Sequence, residues 1–417
     1  MYGTLALTPK ALDAYRPIVG EGAIDELRRL AEPLQGLRVL HLSVTAFGTG
    51  VAELLNAAVP LLSDVGLDCH WQVVRGAEES AAANRALYRA RAGSPNDWSP
   101  EMGETWLRYS QMNAELLTEP FDVIIVHDPQ PAAIRKYASH HVQSRSRWVL
   151  HSHLDLSSAD PRAWALLRQH IDDYDAIVFD AEPFVHPDLK LREVAIIRPA
   201  IDPIGPRNME LDAETVRTIL ERYGLDVDRP LLCQVAPCDR GSDLMGAIDV
   251  HEAVCKEFPE TQLALIATNP PEDPDSITYF DEVARRSMGC EHVHILRGVS
   301  EVGNVEANAF QRAAAVVLQT GLRKGFGIWI SDAQWKGRPV VSCRSGGLVQ
   351  QVIDAVTGFL ADEPAEFAER VVQILRDPEL GARLGAAGHE HVAKHFLLPR
   401  FLADELRLLA DVTRKGL

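Results

Sequence analysis

Short runs of Val, Ile and Leu alternate with longer stretches of helical spacing along nearly the whole chain. Such a run is stable as a strand only when both of its faces are covered, as in a parallel sheet between layers of helices. The alternation therefore predicts an α/β fold with doubly wound parallel sheets. Strands are expected at 38–44 (RVLHLSV), 70–74, 121–126, 147–153, 176–179 and 194–197. A helix is expected over 51–65, kinked at Pro60, because proline removes a helical hydrogen bond. The segment RPAIDPIGPRN (198–208) places three prolines and a glycine in eleven residues, which reads as a linker. A second series of strands is expected at 231–235, 262–267, 293–296, 315–319, 339–342 and 359–360, followed by a helical tail over 378–417. No short internal repeat and no low-complexity segment interrupts this order.

At 417 residues the chain is too long for one core, since domains average ~150 residues. The linker divides it into a first domain over 1–200 and a second over 201–395, with a final helix over 396–417 expected to return to the first domain. The net charge of −17 argues against nucleic acid or an anionic membrane as partner, because both need a concentrated basic face. Six cysteines form no CxxC pair and no zinc spacing. No signal-like core opens the chain, and no run reaches the ~18 apolar residues of a membrane span. A cytoplasmic protein with reduced thiols is expected.

Polar motifs stand where strands give way to helices, the place where ligands of doubly wound sheets bind. Gly48-Thr49-Gly50 follows the first strand. Its glycines let a ligand approach the backbone, and the helix start offers N–H groups to a phosphate; the same residues also make a plain tight turn. His127-Asp128-Pro129-Gln130-Pro131 follows the strand FDVIIV. Asp128 and Gln130 suit sugar hydroxyls, and equally suit a capped turn. In His151-Ser152-His153-Leu154-Asp155 the two histidines share a strand face. No third ligand has fitting spacing, so no metal site is expected and a hydrogen-bonding role is. Lys324-Gly325-Phe326-Gly327 leads into a helix whose start suits a diphosphate, with Asp332 placed to accept from ribose hydroxyls. Arg344-Ser345-Gly346-Gly347 is a second glycine turn. His389, His391 and His395 are expected on a solvated helix face, since nothing like HExxH is present.

Together these motifs resemble the trehalose glycosyltransferring synthases, a family of retaining GT-B glycosyltransferases. The likeness runs nearly end to end through LRVLHLSVTAFGTGVAELL, VHDPQP, HLDLS, AIDPIGPRN, VEANAFQRAA, KGFG with DAQWKGRPVV, and DAVTGFL. It implies a GT-B fold, two Rossmann-like domains with a cleft between them. A nucleoside-diphosphate glucose would bind mainly to the second domain and glucose to the first, giving an α,α-linked disaccharide with retention. The resemblance implies no metal or other cofactor, and a homodimer. Carried over residue by residue, it assigns catalytic roles to His153, Asp128 and Asp332. Donor and phosphate binding fall to the turn Gly48-Thr49-Gly50, to Gly325, Phe326, Gly327, Asp332 and Arg344, with Arg240 and Lys324 added from this chain's own residues, and acceptor binding to Asp128, Gln130, His127 and Asp155.

The departures lie at the donor chemistry. Members of this family carry an arginine and a lysine after the first strand of the second domain, and these grip the donor phosphates. Here Pro237 and Ser242 stand in those places, and proline offers neither charge nor N–H. Of the family's glutamate pair around the GFG turn, one position is Lys324 and the other Asp332; an ammonium cannot accept hydrogen bonds. Thr49 replaces the middle glycine of the first turn, and Arg85 and Tyr88 stand where lysine and histidine are usual. Arg240 and Lys324 are candidates for a rearranged anion site. Three readings follow: a trehalose-synthase-like transferase, a catalytically degenerate homologue serving as sugar or nucleotide sensor or as accessory subunit to a protein partner, and a transferase for a different, anionic donor.

Overall fold

The computed structural model describes residues 5–90, 98–189, 194–268, 274–297, 302–321 and 325–414. The chain divides into two compact units. Unit one takes in Met1–Ala200 and Leu398–Leu417 with the short stretch Lys324–Phe326; unit two takes in Ile201–Arg323 and Gly327–Leu397. The division at Ala200 falls inside the proline-rich segment.

Unit one holds β1 (Arg38–Ser43), β2 (Asp68–Val73), β3 (Val123–His127), β4 (Arg147–Ser152), β5 (Ala176–Phe179) and β6 (Val194–Ile196), all parallel, in the order β2-β1-β3-β4-β5-β6. Unit two holds β7 (Leu231–Ala236), β8 (Gln262–Ala267), β9 (Val293–Arg297), β10 (Val316–Gln319), β11 (Val340–Cys343) and β12 (Phe359–Ala361), also parallel, in the order β12-β11-β10-β7-β8-β9. The strand order reverses between β1 and β3 in the first sheet and between β7 and β10 in the second. Helices leave opposite faces of the sheet at such a point, and a crevice opens beyond the strand ends.

Period-two alternation gives the first sheet two apolar faces. Leu40, Leu42, Ile124, Val126, Leu150 and Phe179 belong to one core, and Val39, Val123, Ile125, Val149 and Val178 to the other. The second core also holds Phe401, Leu402, Leu406 and Leu409 of the last helix, Leu398–Arg414. Each such side chain stabilises the fold by ~1.5–3 kcal/mol on burial, so a polar residue on this face must find partners inside the protein.

The helix Gly50–Asp64 runs on through Pro60, whose missing N–H removes one hydrogen bond, to the Asn56 carbonyl. One expectation needs correction. The histidines of the helix Pro378–His395 do not form a solvated face. His389 Nδ1 donates to the Trp335 carbonyl at 2.5 Å and its ring stacks on that indole, while His391 Nε2 donates to the Gln350 carbonyl at 3.0 Å. Among the described residues no helix is long and apolar enough to cross a membrane.

Candidate functional site

Both segments that flank the switch point of the first sheet are the expected motifs. After β1, Gly48 takes φ 74°, a left-handed conformation that favours glycine. Thr49 then caps the helix, its Oγ1 accepting from Ala52 N–H at 3.2 Å. The departure from glycine at this position thus acquires a structural task, and one first-turn N–H is spent on it. After β3, Asp128 takes φ 68°, a strained conformation for any residue with a Cβ. It is held there from both sides. Its N–H donates to the His151 carbonyl, and its Oδ1 accepts from the His153 N–H, each at 2.8 Å. Asp128 therefore ties the end of β3 to the end of β4.

Beneath this tie lies a layer of imidazoles. His41, His127 and His151 occupy sheet positions on the same face as Val39, Ile125 and Val149, and all three are buried. His153 and Asp180 continue that parity just past β4 and β5. His127 Nδ1 and His153 Nε2 are hydrogen-bonded at 3.1 Å, as are His41 Nδ1 and His127 Nε2. His153 Nδ1 donates to Asp180 Oδ1 at 2.9 Å. His151 Nε2 lies 3.3 Å from the same oxygen, off the line of a hydrogen bond. From the last helix Glu405, equally buried, faces the layer with Oε1 3.9 Å from His41 Nε2.

Charge settles at one end of the layer. Burial disfavours the charged form of His153, but the Asp180 carboxylate outweighs it and raises its pKa to about 9. Burial would raise Asp180, yet the charged imidazole of His153 holds it below its ordinary value. Burial, reinforced by neighbouring imidazoles, lowers His41 to about 3 and His151 to about 4, and lowers His127 well below its ordinary value. Burial also pushes Glu405 up to about 8. The layer is an ion pair, His153–Asp180, continued by neutral groups.

Nitrogens of His127, His151 and His153 lie within 4.8 Å of one another. The structure thus supplies the third histidine that sequence spacing did not suggest. The rings of His127 and His153, however, are inclined by only 8° and hydrogen-bonded edge to edge. Their lone pairs lie along one line instead of converging on a third point, which is not the geometry of a metal site.

Beside the layer, unit one contains a cavity of about 400 Å³ lined by Arg75, Ser80, Asn84, Trp106, Tyr109 and Gln130, among others. Such a volume suits a small ligand. The Trp106 indole N–H donates to the Gln130 backbone carbonyl at 2.5 Å and fixes the wall. The side-chain Oε1 of Gln130 is buried and has no hydrogen-bond partner among the described residues. Of the four expected acceptor residues, Gln130 alone lines this cavity. His127 has both nitrogens bonded inside the imidazole layer, and Asp155 accepts from the N–H and hydroxyl of Ser157, which shapes its own loop. His153 likewise offers no free ring nitrogen.

In unit two the switch point is built differently. After β7, Pro237 brings no N–H, and Ser242 is buried with its hydroxyl donated to Asp239 Oδ1 at 2.9 Å. Arg240 is 70% exposed, paired with Glu282 at 2.7 Å and set over the Tyr279 ring. Gly327, at φ 73°, starts the helix Ile328–Trp335 and has no side chain to cap it. Gly325 and Phe326 precede it, and Lys324 lies outside the described residues. The expectation for Asp332 is corrected: its carboxylate is buried, with one oxygen accepting from Arg207 and the other from Asn208 Nδ2 at 2.7 Å, and so does not face a ribose. Lys336 joins this group, donating to Asn208 Oδ1, Gln311 Oε1 and the Asp332 carbonyl at 2.8–3.0 Å. Burial lowers its pKa to about 7 against the pull of Asp332. Arg344 is held inside its unit as well, by Asp354 at 3.1 Å and the Leu360 carbonyl at 3.2 Å.

Two doubly wound parallel sheets, one in each unit, are the architecture of the GT-B class. Solved structures agree on the fold. A sucrose-phosphate synthase from Thermosynechococcus elongatus aligns with TM-score 0.69 at 16% identity, over 91% of this chain and all of that one. A trehalose 6-phosphate synthase from Burkholderia multivorans aligns with TM-score 0.69 at 14% identity, over 92% of this chain and all of that one. Residues 41–186 match the family described as "Trehalose synthase, N-terminal domain", and 245–377 match "Glycosyl transferases group 1". The trehalose synthase of Rubrobacter xylanophilus is 38% identical over 97% of both chains, and that of Pyrococcus horikoshii 33% identical over 96% of both. The chain belongs to the trehalose synthase family and is a trehalose-synthase-like glycosyltransferase.

Sequence reasoning missed His41, Asp180 and Glu405 in the imidazole layer, and Trp106, Tyr109 and Asn84 in the cavity wall. Signals existed for some of them. Parity within β1 puts His41 on the same sheet face as Val39, and Trp106, Tyr109, Ser110 and Asn113 form a stripe at helical spacing.

Proposed function

We propose that this protein transfers glucose from a nucleoside-diphosphate glucose to free glucose, with retention and without a metal ion, giving an α,α-linked disaccharide. The observation that carries the proposal is full-length kinship: the 38% identity to a trehalose synthase spans 97% of both chains. The cavity at Gln130 supports it from the acceptor side. Its polar and aromatic lining is suited to a neutral hexose, and the buried Oε1 gains the partner it lacks when a sugar hydroxyl donates to it. On the donor side, the structural neighbour HepE of Anabaena is described in complex with UDP-glucose, with TM-score 0.67 at 16% identity over 91% of this chain and 99% of that one.

The donor diphosphate would be met by the start of the helix at Ile328, by Arg240 released from Glu282, and by Lys324. With Pro237 and Ser242 uncharged, these groups replace the two family cations. Charge developing on the leaving diphosphate would be offset there, and the acceptor would be oriented in the Gln130 cavity. A homodimer and a cytoplasmic location complete the proposal; the mass in solution tests the former.

Titration calorimetry tests the donor claim with ADP-glucose, UDP-glucose, GDP-glucose and the free diphosphates, with and without glucose. Micromolar binding of one nucleotide sugar, measurably weakened in both Arg240→Ala and Lys324→Ala, supports the rearranged anion site. Binding unchanged in both variants removes that site, and no heat with any nucleotide from folded protein removes the transferase itself.

A further inference from the structure

The imidazole layer forms a line of three hydrogen bonds, from Asp180 through His153 and His127 to His41, with the Glu405 carboxyl 3.9 Å beyond its end. The direction of every bond follows from one end. A doubly protonated His153 donates from Nδ1 to Asp180 and from Nε2 to His127 Nδ1. His127 must then carry its proton on Nε2 and donate to His41 Nδ1. His41 in turn keeps its proton on Nε2, which lies 3.9 Å from Glu405 Oε1. His41 Nε2 and Glu405 Oε2 are both buried and have no hydrogen-bond partner among the described residues. These are the two groups between which one more proton transfer would complete the line.

We propose that His127, His41 and Glu405 form a proton relay for His153, through which His153 changes its charge without contact with solvent. Near neutral pH Glu405 holds its proton and the line rests; once Glu405 has lost that proton, above about pH 8, the step balances within the layer. Ionised Glu405 takes the proton from His41 Nε2, His41 Nδ1 takes that of His127 Nε2, and His127 Nδ1 takes that of His153 Nε2. Glu405 ends neutral, His153 ends neutral with its proton on Nδ1 toward Asp180, and His127 and His41 have exchanged tautomers. The net charge of the layer is unchanged. His41, His127 and Glu405 act through His153, whose backbone N–H holds Asp128 at the head of the segment carrying Gln130, so they are positioning residues.

Other charged or titratable groups surround the relay. Asp128 lies beside His153 and contributes to raising it, and His151 stacks on it at 4.1 Å. Cys69 on β2 is pushed up by burial and by Glu405. Arg400, on the same helix as Glu405, is held by Asp404 and feels both Arg198 and Asp180. Burial holds the Cys69 thiol protonated, and the ion pair to Asp404 keeps Arg400 charged, so neither competes for the proton.

Nitrogen-15 NMR of the histidine rings in the full chain reads the relay directly. At pH 7 both His127 and His41 are expected as the Nε2–H tautomer; an Nδ1–H tautomer on either overturns the proposal. As the pH rises toward 9.5, His153 is expected to titrate in two steps shared with Glu405, with His127 and His41 exchanging tautomers in register with it. In the isosteric Glu405→Gln chain, one step is expected. Fixed tautomers at His127 and His41 while His153 titrates, or the same two steps in Glu405→Gln, would refute the relay. Stoichiometric binding of zinc that shifts His127, His151 and His153 together would refute it too, since the line of bonds would then be a ligand set. None of these readouts requires turnover, so a failure of sugar transfer leaves the relay standing.

Discussion

The two switch points handle buried charge in contrasting ways. In unit one, polar groups within β1 and at the ends of β3, β4 and β5 are sunk into one face of the sheet, where four imidazoles need only one carboxylate, Asp180, because three of them stay neutral. In unit two, Arg207 and Asn208 hold a single buried carboxylate, Asp332, while the neighbouring Lys336 is held by Asn208, Gln311 and the Asp332 backbone carbonyl. In both units the internal network consumes most of the side chains that looked like ligand contacts. What remains for a ligand among the described residues includes Gln130 Oε1 in unit one, and the helix start at Ile328 with the exposed Arg240 in unit two. A carboxylate or histidine at a strand end is therefore poor grounds for a ligand contact until its partners are known.

The contrast is tested most severely by removing each anchor. Asp180→Ala strands the charged His153 and is expected to cost ~3–5 kcal/mol in urea unfolding, the usual loss on breaking a buried pair. Asp332→Ala is expected to cost less, about 2–3 kcal/mol, because the stranded Arg207 keeps its place over the Trp329 ring and Lys336 keeps its three acceptors, one of them the backbone carbonyl of residue 332 itself. Unchanged stability in Asp332→Ala would return that residue to the ligand site and erase the parallel between the units.

Stability against pH separates the imidazole layer from the rest of the molecule. Glu405 is raised from 4.5 to about 8 and His153 from 6.5 to about 9. Both groups hold protons in the folded chain that the unfolded chain releases. Their contribution is complete below the unfolded values and is lost as pH rises through about 8 and 9. His41, His127 and His151 act oppositely: held neutral in the fold, they cost stability as pH falls below 6.5. The melting temperature is expected to peak near pH 6.5 and fall on both sides, and Glu405→Gln should flatten the alkaline side. A peak at pH 9 would contradict the assignment.

Smaller effects distinguish ligand groups from structural ones. Gln130→Leu removes a group with no partner at Oε1 and should leave the melting temperature unchanged, while KM for the acceptor sugar rises about tenfold, the value of one hydrogen bond of ~1.4 kcal/mol. Arg240→Ala breaks an exposed pair and should not measurably change stability. Its expected effect is on nucleotide affinity, roughly fivefold, or ~1 kcal/mol. Loss of stability in either variant would mean that the apparent ligand groups are also structural.

Both sheets were legible in the sequence, because buried parallel strands are written as local apolar runs. The proline-rich stretch at Ala200 was legible for the same reason. The partners of the polar residues were not local. Asp332 meets Arg207 and Asn208 from more than 120 positions away. Glu405 reaches His41 only because Phe401, Leu402 and Leu409 draw its helix onto the first sheet. The left-handed backbone at Asp128 left no mark beyond its being an aspartate, a residue that tolerates that conformation. His41 was readable by parity within β1, but one histidine in an apolar strand gives no reason to look for three more.

The most direct test of the central claim is product formation. Purified protein is incubated with glucose and, in turn, with ADP-glucose, UDP-glucose and GDP-glucose, and the sugar products are resolved by proton NMR. A trehalose-synthase-like transferase gives an α,α-linked disaccharide with at least one donor, and Gln130→Leu slows its formation at low glucose. Folded protein that yields no disaccharide with any of the three donors would contradict the account.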